Sequence, residues 1–222
     1  MTVLHLADEG EAADLAAFLS RLLHYDRGAA VRLQAAGTAL AVFGRPPSFE
    51  VLAVRAVRLA KPYEDGLDVT LDVTVSAGEL LESADEKGAT AVVPGAVTGP
   101  PWAGVLPPRG GWRPEPGLPA PEALRSLVAA AVAEFRSRTR ELPDERRTRA
   151  ELDRIGRDIW SRTVGDTRLP VRAVHAAQSL GFLRPGVPLG LFSSGAWLRL
   201  RTPYGSIAVR QAGLGALDVS VR

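Results

Sequence analysis

Between Pro94 and Pro121 the chain packs 9 prolines and 6 glycines into 28 residues, a density that neither a helix nor a central strand tolerates. Proline removes a backbone donor and fixes φ, while glycine loses the most conformational freedom on folding. The segment therefore divides the sequence into 1–93, 94–121 and 122–222, three stretches able to pack as one unit. Its two indoles, Trp102 and Trp112, with Val105 and Leu106, gain nothing from a solvated tether. They predict a strap lying across the body with both tryptophans docked. The functional alternative is a lid or partner-binding strip built on Pro100-Pro101-Trp102 and Pro107-Pro108-Arg109.

The stretch before the strap reads as an antiparallel sheet with two helices. Asp8-Glu9-Gly10-Glu11 is a capping box, and Leu15, Phe18, Leu19, Leu22 and Leu23 follow at helical spacing up to Gly28. Val31–Gln34 and Thr38–Phe43 predict a hairpin around Ala36-Gly37. Phe49–Leu59 predicts a longer strand, whose alternation breaks near Arg55 as a bulge would make it. Leu67–Val75 alternates cleanly, with Asp68 and Asp72 on its polar face as candidate acceptors for arginines of the C-terminal tail. Ser76-Ala77-Gly78-Glu79 caps a short second helix, and Ala89–Val93 adds a strand.

After the strap, helices dominate. Pro121 and Glu122 suit a first turn, with Leu124, Leu127, Val128, Ala131, Phe135 and Leu142 along one stripe. Thr148-Arg149-Ala150-Glu151 opens a second helix, and Pro170–Leu180 forms a third that Gly181 ends. Arginines 146, 147, 149, 154 and 157 alternate with Glu145, Glu151, Asp153 and Asp158, the pattern of a salt-bridged solvent face. The fold class is α+β, closing on an antiparallel hairpin sheet.

That last hairpin carries the best functional hint. Thr202-Pro203-Tyr204-Gly205 reads as a β-turn. Pairing Thr202 with Gly205 sets Leu200 opposite Ile207, Arg199 opposite Ala208, Leu198 opposite Val209 and Trp197 opposite Arg210. Leu198, Leu200, Ile207 and Val209 then share a face that needs a core. Trp197, Arg199, Arg201, Ser206 and Arg210 share the other, a cationic, aromatic platform suited to an anion or a partner. We take Trp197, Arg199, Arg201 and Arg210 as candidate binding residues, with Trp102 and Trp112 as the strap's anchors.

Charge supports this emphasis. The net charge is only +2, and 25 of the 27 basic residues are arginine, a usage that high-GC coding imposes on any protein. The distribution is more telling. Residues 1–90 hold 8 basic and 14 acidic side chains, whereas residues 168–222 hold 7 arginines and one aspartate, Asp218. Such ends attract each other within the fold or across a homodimer, or leave a basic surface for a polyanion.

Function classes narrow by exclusion. The chain lacks cysteine, which removes disulfides, thiolate catalysis and cysteine zinc sites. It has no P-loop, G-x-S-x-G or H-E-x-x-H, and Gly213-Leu214-Gly215 lacks the third glycine of a dinucleotide loop. Three scattered histidines make neither a metal nor a cofactor expected. Asp166, His175 and Ser179 are the nearest approach to a hydrolytic trio. No apolar run spans a bilayer and no signal segment follows Met1, so a cytoplasmic location without membrane attachment is expected.

Two resemblances follow. The helices Thr148–Arg162 and Pro170–Leu180, the Leu180-Gly181-Phe182-Leu183 exit and the strands Leu189–Phe192 and Trp197–Arg201 resemble a winged helix-turn-helix. The resemblance implies that Arg172, His175 and Ser179 face a nucleic-acid groove while Arg199 and Arg201 touch phosphates. The Thr163–Leu169 link is longer than the usual turn. Pro101-Trp102-Ala103-Gly104-Val105-Leu106-Pro107-Pro108 and Leu200-Arg201-Thr202-Pro203-Tyr204-Gly205 resemble segments of uncharacterised cytoplasmic proteins of high-GC actinobacteria, a likeness that implies no activity. The sequence thus favours a non-enzymatic binding or regulatory protein acting by protein–protein contact. A nucleic-acid-binding regulator is the alternative and a small-molecule enzyme the third reading.

Overall fold

In the computed structural model, residues 2–47, 49–60 and 71–211 are described; Asp68, Asp218 and the Gly213–Gly215 segment lie outside them. The helices begin where the capping signals stand. Asp8 accepts from the Glu11 amide at 2.9 Å and opens α1 (Glu9–Tyr25). Ser76 does the same for α2 (Ala77–Glu82), and Thr148 for α4 (Arg149–Trp160). Pro121 begins α3 (Pro121–Arg140), and Pro170 precedes α5 (Val171–Ser179).

The strands are β1 (Val3–His5), β2 (Ala30–Ala36), β3 (Ala39–Gly44), β4 (Leu52–Arg58), β5 (Asp72–Ser76), β6 (Thr90–Val92), β7 (Arg113–Glu115), β8 (Gly190–Ser194), β9 (Trp197–Thr202) and β10 (Gly205–Arg210). β1 and β6 form a small antiparallel pair. The other eight make one antiparallel sheet in the order β5-β2-β3-β4-β10-β9-β8-β7. The fold is α+β. Its N-terminal and C-terminal halves each place a helix before a three-strand meander, α1 before β2-β3-β4 and α5 before β8-β9-β10. The halves fuse where β4 meets β10, with Leu52, Ala53 and Val54 opposite Ala208, Ile207 and Ser206.

The core lies between the sheet and the helices. Leu198, Leu200, Ile207 and Val209 are buried against it, in the register that the turn predicts. α1 packs over β4 and α5 over β10, and Phe18 of α1 stacks on Phe182 just beyond α5 with centroids 5.7 Å apart. Gly205, at φ +155°, lets that ring lie on the sheet, since a Cβ there would sit 2.5 Å from Phe182.

Two expectations need correction. No bulge interrupts β4, whose pairing with β3 runs unbroken from Ala39↔Arg58 to Gly44↔Ala53. Its alternation breaks because Arg55, only 5% exposed, points to the core side. It is held there by Glu11 and Asp14 of α1, each 3.1 Å from Nη2. The strand expected from Phe49 starts at Leu52, because Glu50 stands at φ +51° in a turn.

The second face of the sheet is crossed by the proline-rich segment. Ala96 bridges Val75 of edge strand β5, and the Val97 amide donates to the Thr74 carbonyl. Ala103, at the end of a short 3-10 turn, accepts from Arg32 Nη1 of β2 at 2.8 Å. The Gly110 carbonyl accepts from Ser194 Oγ of β8, and the chain then enters β7 at the opposite edge. Phe43, Leu52, Val54 and Ala208 on this face are buried although they lie outside the main core; Ala103 and Pro107 of the segment are buried too.

Candidate functional site

β9 and β10 bring Trp197, Arg199, Arg201, Ser206 and Arg210 to the second face because side chains alternate about the Leu200↔Ile207 pair. They do not form one uniform platform. Arg199 is half-buried; its Nε donates to Ser206 Oγ at 2.9 Å and its guanidinium lies 5.5 Å from the Trp112 ring centroid. Burial, and then the like charge of Arg201, lower the Arg199 pKa. Trp112 is itself half-exposed, its indole N–H donating to the Pro108 carbonyl at 3.0 Å. Arg201 and Arg210 are exposed and Trp197 is half-exposed. Trp102 stands in the 3-10 turn, half-exposed, beside Ala103.

Among the described residues, Arg199, Arg201 and Arg210 make no ion pair. Asp72 is occupied elsewhere. Arg32 Nε donates to its carboxylate at 2.8 Å and Gln34 at 3.2 Å, and the Arg32 hydrogen bond is the largest cause that lowers the Asp72 pKa. Arginines of the α3–α4 surface differ from those of the hairpin. Arg138 and Arg162 both bridge Glu134 and Asp158, and Arg154 grips Glu151 in two bonds.

The residues of the winged-helix comparison sit differently. On α5 only Gln178 is exposed. His175 stacks on Trp160 of α4 at 4.6 Å and meets Phe49 edge-on at 5.0 Å. Burial lowers its pKa. Arg172 Nε lies 3.9 Å from Glu50, in the loop that carries Phe49. Ser179 is half-buried at the end of α5. The helix is thus wedged among α3, α4, β10 and the Phe49–Glu50 turn and does not present a free surface. Among the described residues His175 makes no hydrogen bond to Asp166, Ser179 or any carboxylate.

Sequence reasoning missed a second charged centre, made by Arg21, Arg55 and Arg184 around Asp14. Its single sequence signal was the charged residue breaking the alternation of β4.

Among the described residues no helix is long and apolar enough to cross a membrane. No curated protein sequence matches the chain. One solved structure similar to it is a DNA polymerase sliding clamp from Pseudomonas aeruginosa with ligand, at 13% identity and a TM-score of 0.48, over 90% of this chain and 63% of that one. The chain therefore spans less than two thirds of that clamp's length. Two family models match instead in tandem: residues 1–104 match the Domain of unknown function DUF8010, and residues 107–214 match the Domain of unknown function DUF8185.

Proposed function

We propose that the chain is a non-enzymatic binding protein acting through protein–protein contact, with Trp197, Arg201 and Arg210 receiving an acidic surface. One observation carries this reading. The fold neutralises arginines in pairs and networks over α3 and α4, yet leaves Arg201 and Arg210 exposed with no ion pair among the described residues, Arg210 directly opposite the indole of Trp197. Cations next to a half-exposed aromatic ring match an acidic, partly apolar partner and set its approach. Arg199 supports the platform from beneath, fixed by Ser206 and Trp112. Glu79, Glu82, Asp85 and Glu86 are exposed around α2, toward the β5 end of the molecule, so a second copy of the chain offers one such surface.

The test has three arms at low and physiological salt: sedimentation of the chain alone, binding of a fluorescent Glu/Asp-rich peptide containing leucine and tyrosine, and binding of a 20-base-pair duplex. Self-association or peptide binding is expected, weakened about tenfold by Arg201→Ala with Arg210→Ala. If neither occurs, or if the double variant changes nothing, the reading fails. Duplex binding that falls steeply with salt, without peptide binding, would transfer the same arginines to the nucleic-acid alternative.

A further inference from the structure

Three guanidinium groups from distant parts of the sequence converge where the two halves meet: Arg21 of α1, Arg55 of β4 and Arg184 beyond α5. With Asp14 and Tyr204 they line a cleft around a cavity of about 10 Å³, room for a single water-sized group. Asp14 is the one carboxylate in that lining, with Glu11 behind it also accepting from Arg55 Nη2 at 3.1 Å, and both oxygens of Asp14 are engaged. Arg55 Nη2 donates to one at 3.1 Å, and Arg184 Nη2 to the other at 3.5 Å.

The cations keep unused donors. Arg55 Nη1 donates to the Tyr204 carbonyl at 2.7 Å, but Arg55 Nε is buried with no hydrogen-bond partner, an arrangement that folded proteins seldom leave standing. Arg184 Cζ lies over the Tyr204 ring, 3.6 Å from its centroid, with Nε donating to the Gly181 carbonyl. Arg21 makes no hydrogen bond or ion pair among the described residues. It rests against the glycine turn that ends α5: Gly181 stands at φ +75°, and a Cβ there would lie 2.9 Å from Arg21 Cζ, so a side chain at this position would make the guanidinium shift.

We propose that this cleft binds a compact oxyanion, a phosphoryl or carboxylate group, independently of the hairpin surface. One oxygen enters the cavity beside Arg55, and the planar guanidinia of Arg21 and Arg184 hold the rest of the group in the forked geometry they suit. The ligand spans α1, β4 and the exit of α5, so its binding joins the N-terminal half to the C-terminal half and raises the unfolding temperature by mass action.

Thermal unfolding of the full chain with inorganic phosphate, against sodium chloride at equal ionic strength, tests this, with calorimetry for stoichiometry. A saturable rise with one site per chain is expected. Arg21→Gln should weaken the apparent affinity at least about tenfold, Arg21→Lys less, and Arg201→Gln with Arg210→Gln not at all. Sodium acetate is the second arm: a response to acetate alone assigns a carboxylate ligand, and a response to phosphate alone a phosphoryl one. The proposal is overturned if neither anion acts beyond chloride, or if Arg21→Gln binds as the unaltered chain does. Should Arg21→Gln fail to fold, Arg184→Gln serves the same comparison.

Discussion

Arg55 donates a 2.7 Å hydrogen bond to the main-chain carbonyl of Tyr204, 149 residues away in sequence. A charged side chain of the N-terminal half thereby fastens the tight turn of the C-terminal hairpin. The same guanidinium holds Glu11 and Asp14 of α1, so one residue couples the first helix, the middle of the sheet and the last turn. Arg55→Ala should cost about 2 kcal/mol, because it leaves the largely buried Glu11 with Arg58 as its one remaining cation and strands an acceptor on Tyr204. Arg55→Met, which restores the volume and not the bonds, should recover only part of that loss. Urea unfolding of the three proteins measures both.

Gly205 allows Phe182 to reach the sheet. Gly205→Ala should destabilise by about 2 kcal/mol through backbone strain and displacement of the Phe182 ring. Gly205→Ala with Phe182→Leu should lose less than the sum of the single changes, since the smaller side chain relieves the collision. Thermal melts of the double-mutant cycle decide this.

His175, between Trp160 and Phe49, has its pKa held below the ordinary imidazole value by burial. As pH falls below about 6.5, the unfolded chain takes up this proton before the folded one does. Stability is full above that pH and declines toward the lower, folded pKa, with a slope below about 1.4 kcal/mol per pH unit. His175→Phe should flatten this part of the stability profile between pH 7 and 5. An unchanged slope would show that the ring contributes nothing to it.

β7 pairs with β8 through Arg113↔Ser193 and Glu115↔Leu191, with Pro114 opposite Phe192. Proline has no N–H, so the middle of this edge offers no donor to a further strand. Pro114→Val restores a donor and a strand-forming side chain there. It should raise the weight-average mass at high concentration in light scattering, while the unaltered chain gains nothing through this edge.

Much of this architecture could be read from residue order, and what could not has definite causes. The hairpin register followed from Thr202-Pro203-Tyr204-Gly205 because a tight turn fixes pairing locally. Three helix starts followed from capping side chains acting over three residues. The union of β4 with β10 was not legible, since Leu52–Val54 and Ser206–Ala208 carry apolar patterns that suit many neighbours. Arg55 was visible as an irregularity but read as a bulge, because the carboxylates that stabilise it sit 41 and 44 residues upstream. Composition identified Pro94–Pro121 as non-helical; which face it crosses, and that Trp112 would lie near Arg199, depended on contacts remote in sequence. The Arg21–Arg55–Arg184 centre was hidden for the same reason, as no local spacing links its members.

The crossing segment also works as a ruler. Seven spacings of about 4.8 Å separate the outermost strands, about 34 Å in a straight line, whereas the 16 residues from Val97 to Trp112 can reach about 53 Å when extended. That slack permits the loss of about five residues before the connection pulls taut. Beyond that length, either Ala96 must leave Val75 or the outer three-residue strand must peel from its neighbour. The natural variation in size of this segment is therefore bounded from below by the width of the sheet it traverses.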